Sequence, residues 1–302
     1  MESINNISQK KALVIGELLA DIISEENIPS LASPSAFKIS QGGSAANFCC
    51  NLKWLGIPAD LVATVGHDNL GLFLKDELET AGLSNRYVLR SPKHQTTIVL
   101  VGKNPETPDF IAYRSADAYI TKIEDQLIES ADLLHTTAFS LSLSPARETI
   151  LAAFSKANLL HKEVSIDWNF APSVWGENDG QAVFEKICQL NPLLKISVDD
   201  LERFSGKSLS MEESREWLDQ LDIKLICLTC GKDGVWYKEQ SGQWQYQPAL
   251  PAAAIKGVTG AGDAFWSGFI AAYLQHKPLE KCISYALEIA RKKIETPEPL
   301  YK

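Results

Sequence analysis

No run of the 302-residue chain approaches the roughly 18 uninterrupted apolar residues of a membrane span, so the sequence excludes a membrane as partner. Its start, MESINNISQKK, has no apolar segment before Ala12, which argues against a signal peptide. Cations are in the minority, 29 Lys and Arg against 38 Asp and Glu, giving a net charge of −9. They form no cluster that could track a phosphate backbone, and no nucleic acid is expected as partner. A small anionic substrate stays admissible, because local backbone donors suffice to hold one. The five histidines are scattered, and neither HExxH nor GxSxG occurs. Gly206-Lys207-Ser208 looks like the end of a P-loop, but Leu201 stands where its first glycine is required. Six cysteines in a chain this long read as buried thiols of a reducing, cytoplasmic compartment, not as a disulfide scaffold. Cys227-Leu-Thr-Cys230 has metal or redox spacing, yet no second pair accompanies it, and the run KLICLTCG reads as a buried strand.

With 45% hydrophobic and 22% charged residues, the chain has the profile of a globular protein, long enough for one large α/β domain or two ordinary ones. Strand-like and helix-like segments alternate along it. ALVIGELLADII (12–23) predicts a strand, SAANFCCNLKWLG (44–56) a helix, ADLVATVG (59–66) a strand and NLGLFLKDELETAGL (69–83) a helix. Short buried strands follow at 132–137, 163–167, 193–197 and 224–230, with helical patterns at 144–157, 179–189 and 211–220 between them. The alternation implies an open, mostly parallel sheet with helices on both faces. AFKIS (36–40), TTIVLV (96–101) and FIAYR (110–114) break the pattern and predict a small antiparallel β lid. No long linker or repeat divides the chain, so a single domain over 1–302 with a lid is expected.

Two glycine-rich segments carry the chemistry. Gly257-Val-Thr-Gly-Ala-Gly-Asp263 runs straight into the helical pattern AFWSGFIAAYLQ. Glycines before a helix let the backbone approach a ligand, and the free N–H groups of the first turn, with the helix dipole, favour negative charge there. Asp263 would stand beside that anion site, placed to take a proton from an incoming hydroxyl; an acidic helix start is the plainer reading. Gln41-Gly-Gly-Ser-Ala-Ala-Asn47 opens a second helix, with Asn47 in its first turns; close helix–sheet packing would account for the glycines equally. Asp21 closes an otherwise apolar strand, and ligands of open α/β sheets sit beyond the carboxyl ends of strands. Asp199 and Asp200 offer oxygen ligands to a metal, or simply start a helix.

Together, GGSAAN and TGAGDAF resemble the two signatures of the ribokinase-like (PfkB) carbohydrate kinases. VGHDNLG (65–71), DWN (167–169) and TCGKDG (229–234) look like the intermediate landmarks of that family, in the right order. The resemblance spans nearly the whole chain from residue 11. It implies the family's α/β sandwich with a β lid over the sugar. It also implies Asp263 as catalytic base and an anion hole from the backbone of Gly260, Ala261 and Gly262. Sugar hydroxyls would be held by Asp21, Gly42, Gly43 and Asn47, with Arg114 on a lid strand assisting. Thr229 and Gly231 match the nucleotide-side TxG, and Mg²⁺ with ATP is the implied donor.

Four departures stand out. Gly257-Val258 replaces an Asp-Thr linked to monovalent-cation binding, which argues against activation by potassium. Ala171 stands where an arginine is common. Ser197-Val-Asp-Asp200 replaces the NxxE that orders the Mg²⁺ site, leaving Asp200 to reach a metal-bound water. The chain closes on IETPEPLYK, without the family's Gly-Ala loop near the adenine, and Pro297 and Pro299 predict an extended end. Gly16, Glu17 and Asp21 lean toward fructokinase-like or ketodeoxygluconate kinase-like members. A nucleoside kinase is the nearest alternative, with Phe37 or Tyr113 stacking on a base. A sugar-binding protein with little catalysis is the reading from another class, motivated by the nucleotide-side departures. The lid strands offer edges through which a second copy could pair.

Overall fold

The computed structural model describes residues 9–33, 35–103 and 109–302. The opening residues read above for a leader lie outside this range. At its centre is β1 (Ala12–Ile15), buried along its whole length, as befits a parallel strand covered on both faces. β1 pairs in parallel with β4 (Ala59–Gly66) on one side and β8 (Leu133–Thr137) on the other. The sheet continues outward through β5 (Val88–Ser91) beyond β4. Beyond β8 it runs through β9 (Glu163–Asp167), β10 (Leu193–Ser197) and β11 (Leu225–Thr229), all parallel. Antiparallel β12 (Val235–Glu239) and β13 (Gln245–Gln247) finish that edge and complete nine strands. The chain leaves β1 toward both flanks, so the carboxyl ends of β1 and β8 meet at a topological switch point, where open α/β sheets bind ligands.

Side-chain alternation along β1 separates two cores. Ala12 and Val14 face the layer built by α1 (Ser44–Trp54), α2 (Asn69–Thr80), α10 (Ala261–Leu274) and α11 (Leu279–Ile294). Leu13 and Ile15 face the other layer. It includes α3 (Asp125–Ser130), α4 (Ala138–Leu141), α5 (Ala146–Leu159), α6 (Pro172–Trp175), α7 (Gly180–Cys188), α8 (Val198–Ser205) and α9 (Met211–Asp219). Cys227 is fully buried in β11, as its apolar strand implies. Among the described residues no helix is long and apolar enough to cross a membrane.

The lid corrects two expectations. ALVIGELLADII is not one strand: β1 stops at Ile15, and β2 (Leu19–Asn27) belongs to a second, four-stranded sheet. The break falls at Gly16, where a Cβ would lie 2.5 Å from Ser140 Oγ and 2.6 Å from the Ala45 Cβ. Apolar residues on both sides make the run read as one strand, and only Gly16-Glu17, a glycine and a charge inside it, mark where one sheet yields to another. Asp21 therefore sits within a lid strand, not at the carboxyl end of a main-sheet strand. The lid is also mixed, not purely antiparallel. Its order is β3 (Phe37–Gly42), β2, β6 (Ile98–Lys103) and β7 (Asp109–Tyr113), with β2 and β6 parallel. Ile39, Ile22, Leu100 and Ile111 are register partners across all four strands and so share one face; Ile39 and Ile111 are exposed.

Candidate active site

The two glycine-rich segments converge on one carboxylate. Gly260, in the left-handed region at φ +78°, turns the chain into α10 without a side-chain cap; the Ala261 N–H donates to the Val258 carbonyl at 3.1 Å, and among the described residues none takes the Gly262 N–H. Most of α10 is buried between the sheet, α1 and α11, and Trp266 Nε1 donates to Ser165 Oγ of β9 at 2.9 Å, which fixes the helix on the sheet. The carboxylate of Asp263 in its first turn accepts from Ser44 Oγ at 2.6 Å and from Asn47 Nδ2 at 3.0 Å. Both donors stand on the first turn of α1.

Glu17, in the break between β1 and β2, holds α1 in place. Gly43 at the head of that helix has φ +100°, and a Cβ there would lie 2.5 Å from the Glu17 carbonyl. Glu17 Oε1 accepts the Ala45 N–H at 3.1 Å, supplying the cap that Gly43 lacks. Its other oxygen accepts from Thr137 Oγ1 at 2.8 Å and from Ser140 Oγ. Burial raises the Glu17 pKa, and the donors offset this only in part. Asp21 lies against Gly42, where a Cβ would stand 2.2 Å from its Oδ2. Burial first, then the charges of Asp263 and Glu17, push Asp21 up to about 7.

Cations approach from the opposite side. Lys195, the single charge in the apolar strand LLKIS, is 4% exposed and donates to both oxygens of Asp167 at 2.9 Å. Its Nζ would be 3.0 Å from a Cβ on Gly262, directly beneath the glycine loop. Burial pulls the Lys195 pKa down, but Asp167, Asp200 and Asp263 outweigh it and leave the ammonium charged. Burial drives Asp167 up to about 7 against the opposing pull of Lys195. Half-buried Lys293 of α11 reaches Gly260, its Cε 3.5 Å from where a Cβ would stand, and burial lowers its pKa.

The nucleotide-side candidates line the carboxyl ends of β10 and β11. Ser197 and Thr229 are register partners, and Gly231, at φ +54°, begins the turn after β11. Ser197 caps α8: its Oγ accepts the Asp200 N–H at 3.0 Å and donates to Asp200 Oδ2 at 2.5 Å. Asp200 also pairs with Arg203 at 3.0 Å, and burial raises its pKa against Lys195, Ser197 and Arg203. Ala171 heads the short helix α6. Arg114 stands apart. It follows β7, donates to Asp117 Oδ2 at 2.7 Å and Ser142 Oγ at 2.6 Å, and lies 4.0 Å over the Phe139 ring. Among the described residues no hydrogen bond joins it to Asp21, Asn47 or Asp263. Sequence reasoning passed over Ser44, Lys195, Asp167 and Lys293 as site residues; a lysine inside a buried apolar strand was the one available signal.

The site thus joins a carboxylate at a helix start, a glycine loop with the Gly262 N–H unpartnered among the described residues and a buried ammonium beside it. A pfkB family carbohydrate kinase model matches residues 9–300, and the chain belongs to that family. It is a phosphotransferase acting on a sugar hydroxyl, on the ribokinase-like α/β fold expected from its motifs. The ATP-dependent 6-phosphofructokinase of Thermoanaerobacterium thermosaccharolyticum is 32% identical over 285 residues, covering 93% of this chain and 87% of that protein. A fructokinase of Vibrio alginolyticus is 27% identical, covering 87% and 84% respectively. The Halothermothrix orenii fructokinase structure superposes with a TM-score of 0.82 at 32% identity, covering 93% of this chain and 98% of that one.

Proposed function

We propose that this kinase transfers the γ-phosphoryl group of ATP to a hydroxyl of a neutral ketohexose, fructose being the type. The observation that carries the reading is the Asp263 carboxylate, pinned by Ser44 and Asn47 beside the Gly260–Gly262 backbone. The acceptor proton passes to Asp263 as its oxygen bonds to phosphorus, and the bond to the β-phosphate oxygen breaks to leave ADP. The N–H of Gly262, at the positive end of α10, meets charge on the transferred group, while that of Ala261 turns back to the Val258 carbonyl at 3.1 Å. Asp21 and Asn47 suit sugar hydroxyls as acceptor and donor. The carboxyl groups of Asp21 and Asp263 face the sugar end, while Arg114 is already paired with Asp117, which favours an uncharged sugar over a phosphorylated one.

With alanine at 171, the phosphate-facing cation in this reading is Lys195, whose ammonium packs against Gly262. Replacing Lys195 by Met, with Asp167→Asn to avoid an unpaired buried acid, is expected to cost about 10²-fold in kcat, the scale of one lost transition-state donor. Steady-state assays check this, and wild-type kcat in the double variant refutes the role. Asp200 is one carboxylate beside a nucleotide site. That fits Mg²⁺, which binds through one or two carboxylates together with ATP phosphates and water, and among the described residues no acidic cage competes for it. When bound, the ion would neutralise phosphate charge.

The exposed Ile39–Ile111 face of the lid suits a second copy of the chain. Light scattering is expected to give twice the 33.3 kDa of one chain, and a monomer at micromolar concentration refutes it. A second substrate reading, fructose 6-phosphate, is favoured by the name of the 32% identical relative. ADP release over fructose, fructose 6-phosphate, 5-dehydro-2-deoxygluconate, ribose and adenosine separates these. Fructose is expected to lead. A preference for fructose 6-phosphate overturns the neutral-sugar assignment, and adenosine turnover would bring Phe37 and Tyr113 of the lid back as base-stacking residues. No turnover with any of them, accompanied by sugar-induced thermal stabilisation, would make the protein a binder.

A further inference from the structure

Beyond α11 the chain returns to the site. Glu298 approaches Lys38 of β3 at 3.7 Å, and Lys302 pairs with Glu77 of α2, so the segment spans from the lid to the helical layer. Between these anchors Tyr301 is 9% exposed, its ring packed in the core shared by α1, α2 and α10. Its hydroxyl accepts from Gln41 Nε2 at 3.1 Å and donates to Asn47 Oδ1 at 2.9 Å. The other end of the same amide, Nδ2, donates to Asp263 Oδ2 at 3.0 Å. Gln41, Tyr301, Asn47 and Asp263 thus form one directed chain of donors, from the lid strand to the carboxylate.

We infer that Tyr301 is a positioning residue for the transfer reaction: its hydroxyl fixes the amide of Asn47 so that the NH₂ end, not the carbonyl, faces Asp263. The direction follows from donor count. The Gln41 amide supplies one hydrogen to the phenol oxygen, which leaves the phenolic hydrogen for Asn47 Oδ1, and that commits the NH₂ to Asp263. Successive bonds of this kind polarise one another, so the last one, onto the carboxylate, gains most. Without the phenol hydroxyl Asn47 Oδ1 loses its donor and the amide is free to rotate off Asp263, which would leave the carboxylate oxygen without a fixed donor and out of line with the acceptor. Ser44 alone cannot prevent that swing, because it holds only the other oxygen.

The proposal rests on Asp263 being the base, and the test keeps the two apart. Tyr301→Phe preserves the ring and its packing. It is expected to lower kcat about tenfold, the worth of one buried hydrogen bond, while KM for ATP stays within about twofold. In an Asn47→Ala background the same substitution should add nothing, because the path runs through that amide. Wild-type kcat in Tyr301→Phe, or effects of the two substitutions that multiply, would overturn the assignment. If Tyr301→Phe fails to fold by thermal melting, Gln41→Met decides: freeing the phenol to rotate should cost about threefold in kcat, and no loss there refutes the relay. An active Asp263→Asn removes the base reading itself. An inactive Asp263→Asn beside a fully active Tyr301→Phe removes only the role of Tyr301.

Discussion

Asparagine at position 263 is expected to lower kcat by about 10² to 10⁴-fold while leaving sugar affinity nearly unchanged, the scale of a general base removed from an otherwise intact site. The substitution keeps shape and volume. Its carbonyl can still accept from Ser44, but the new NH₂ then meets Asn47 Nδ2, donor against donor, where the carboxylate accepted at 3.0 Å. Glycine loop, helix start and lid stay in place, since Gly43, Glu17 and Trp266 fix them without help from Asp263. Sugar binding through Asp21 should therefore survive, and the loss should fall on the chemical step. Single-turnover ADP formation with saturating sugar reads it directly. A variant within about tenfold of wild type would assign the proton to another group.

Much of this candidate site is legible in the sequence, and the reason is local. Glycines placed directly before a helical pattern, with an acid or amide in the first turn, state their chemistry in consecutive residues. What stayed hidden depends on distant segments. Glu17 caps α1 from a break that the sequence marks only by Gly16-Glu17 within an apolar stretch, and Asp21 changes sheet with it. Lys195 meets the glycine loop only because the fold brings Gly262 against it, although the two lie in separate βα units. Tyr301 reads as one aromatic in a polar, proline-bearing stretch, and only the packed fold brings it to Asn47. Arg114 shows the reverse. It stands in the expected lid region, yet nearby Asp117 already holds it.

Asp21→Asn is expected to raise thermal stability at pH 8 while weakening sugar binding, because the folded protein bears a cost at this residue. The carboxyl has an ordinary value of 3.8 and is pushed to about 7 by burial and by the charges of Asp263 and Glu17. The folded state therefore holds this proton more tightly than the unfolded chain. Below pH 3.8 both states are protonated and nothing is lost. As pH rises from there to 7 the unfolded chain ionises first and stability falls; above 7 the cost is complete. Asparagine removes it, a gain of about 2 to 4 kcal/mol at pH 8 and almost none near pH 4. Sugar hydroxyls donate to the ionised form, so wild-type affinity should rise as pH passes upward through 7. The variant should lose that pH dependence and about 10-fold or more in KM, the scale of one hydrogen bond to a charged acceptor. Melting curves at pH 5 and pH 8, with sugar KM at pH 6 and pH 8, read both halves. A variant less stable at pH 8, or one whose KM keeps the wild-type pH dependence, would place the titrating charge elsewhere. Under the proposed function, a buried acid that destabilises the fold is the condition for gripping an uncharged polyol, which offers a protein only its hydroxyls.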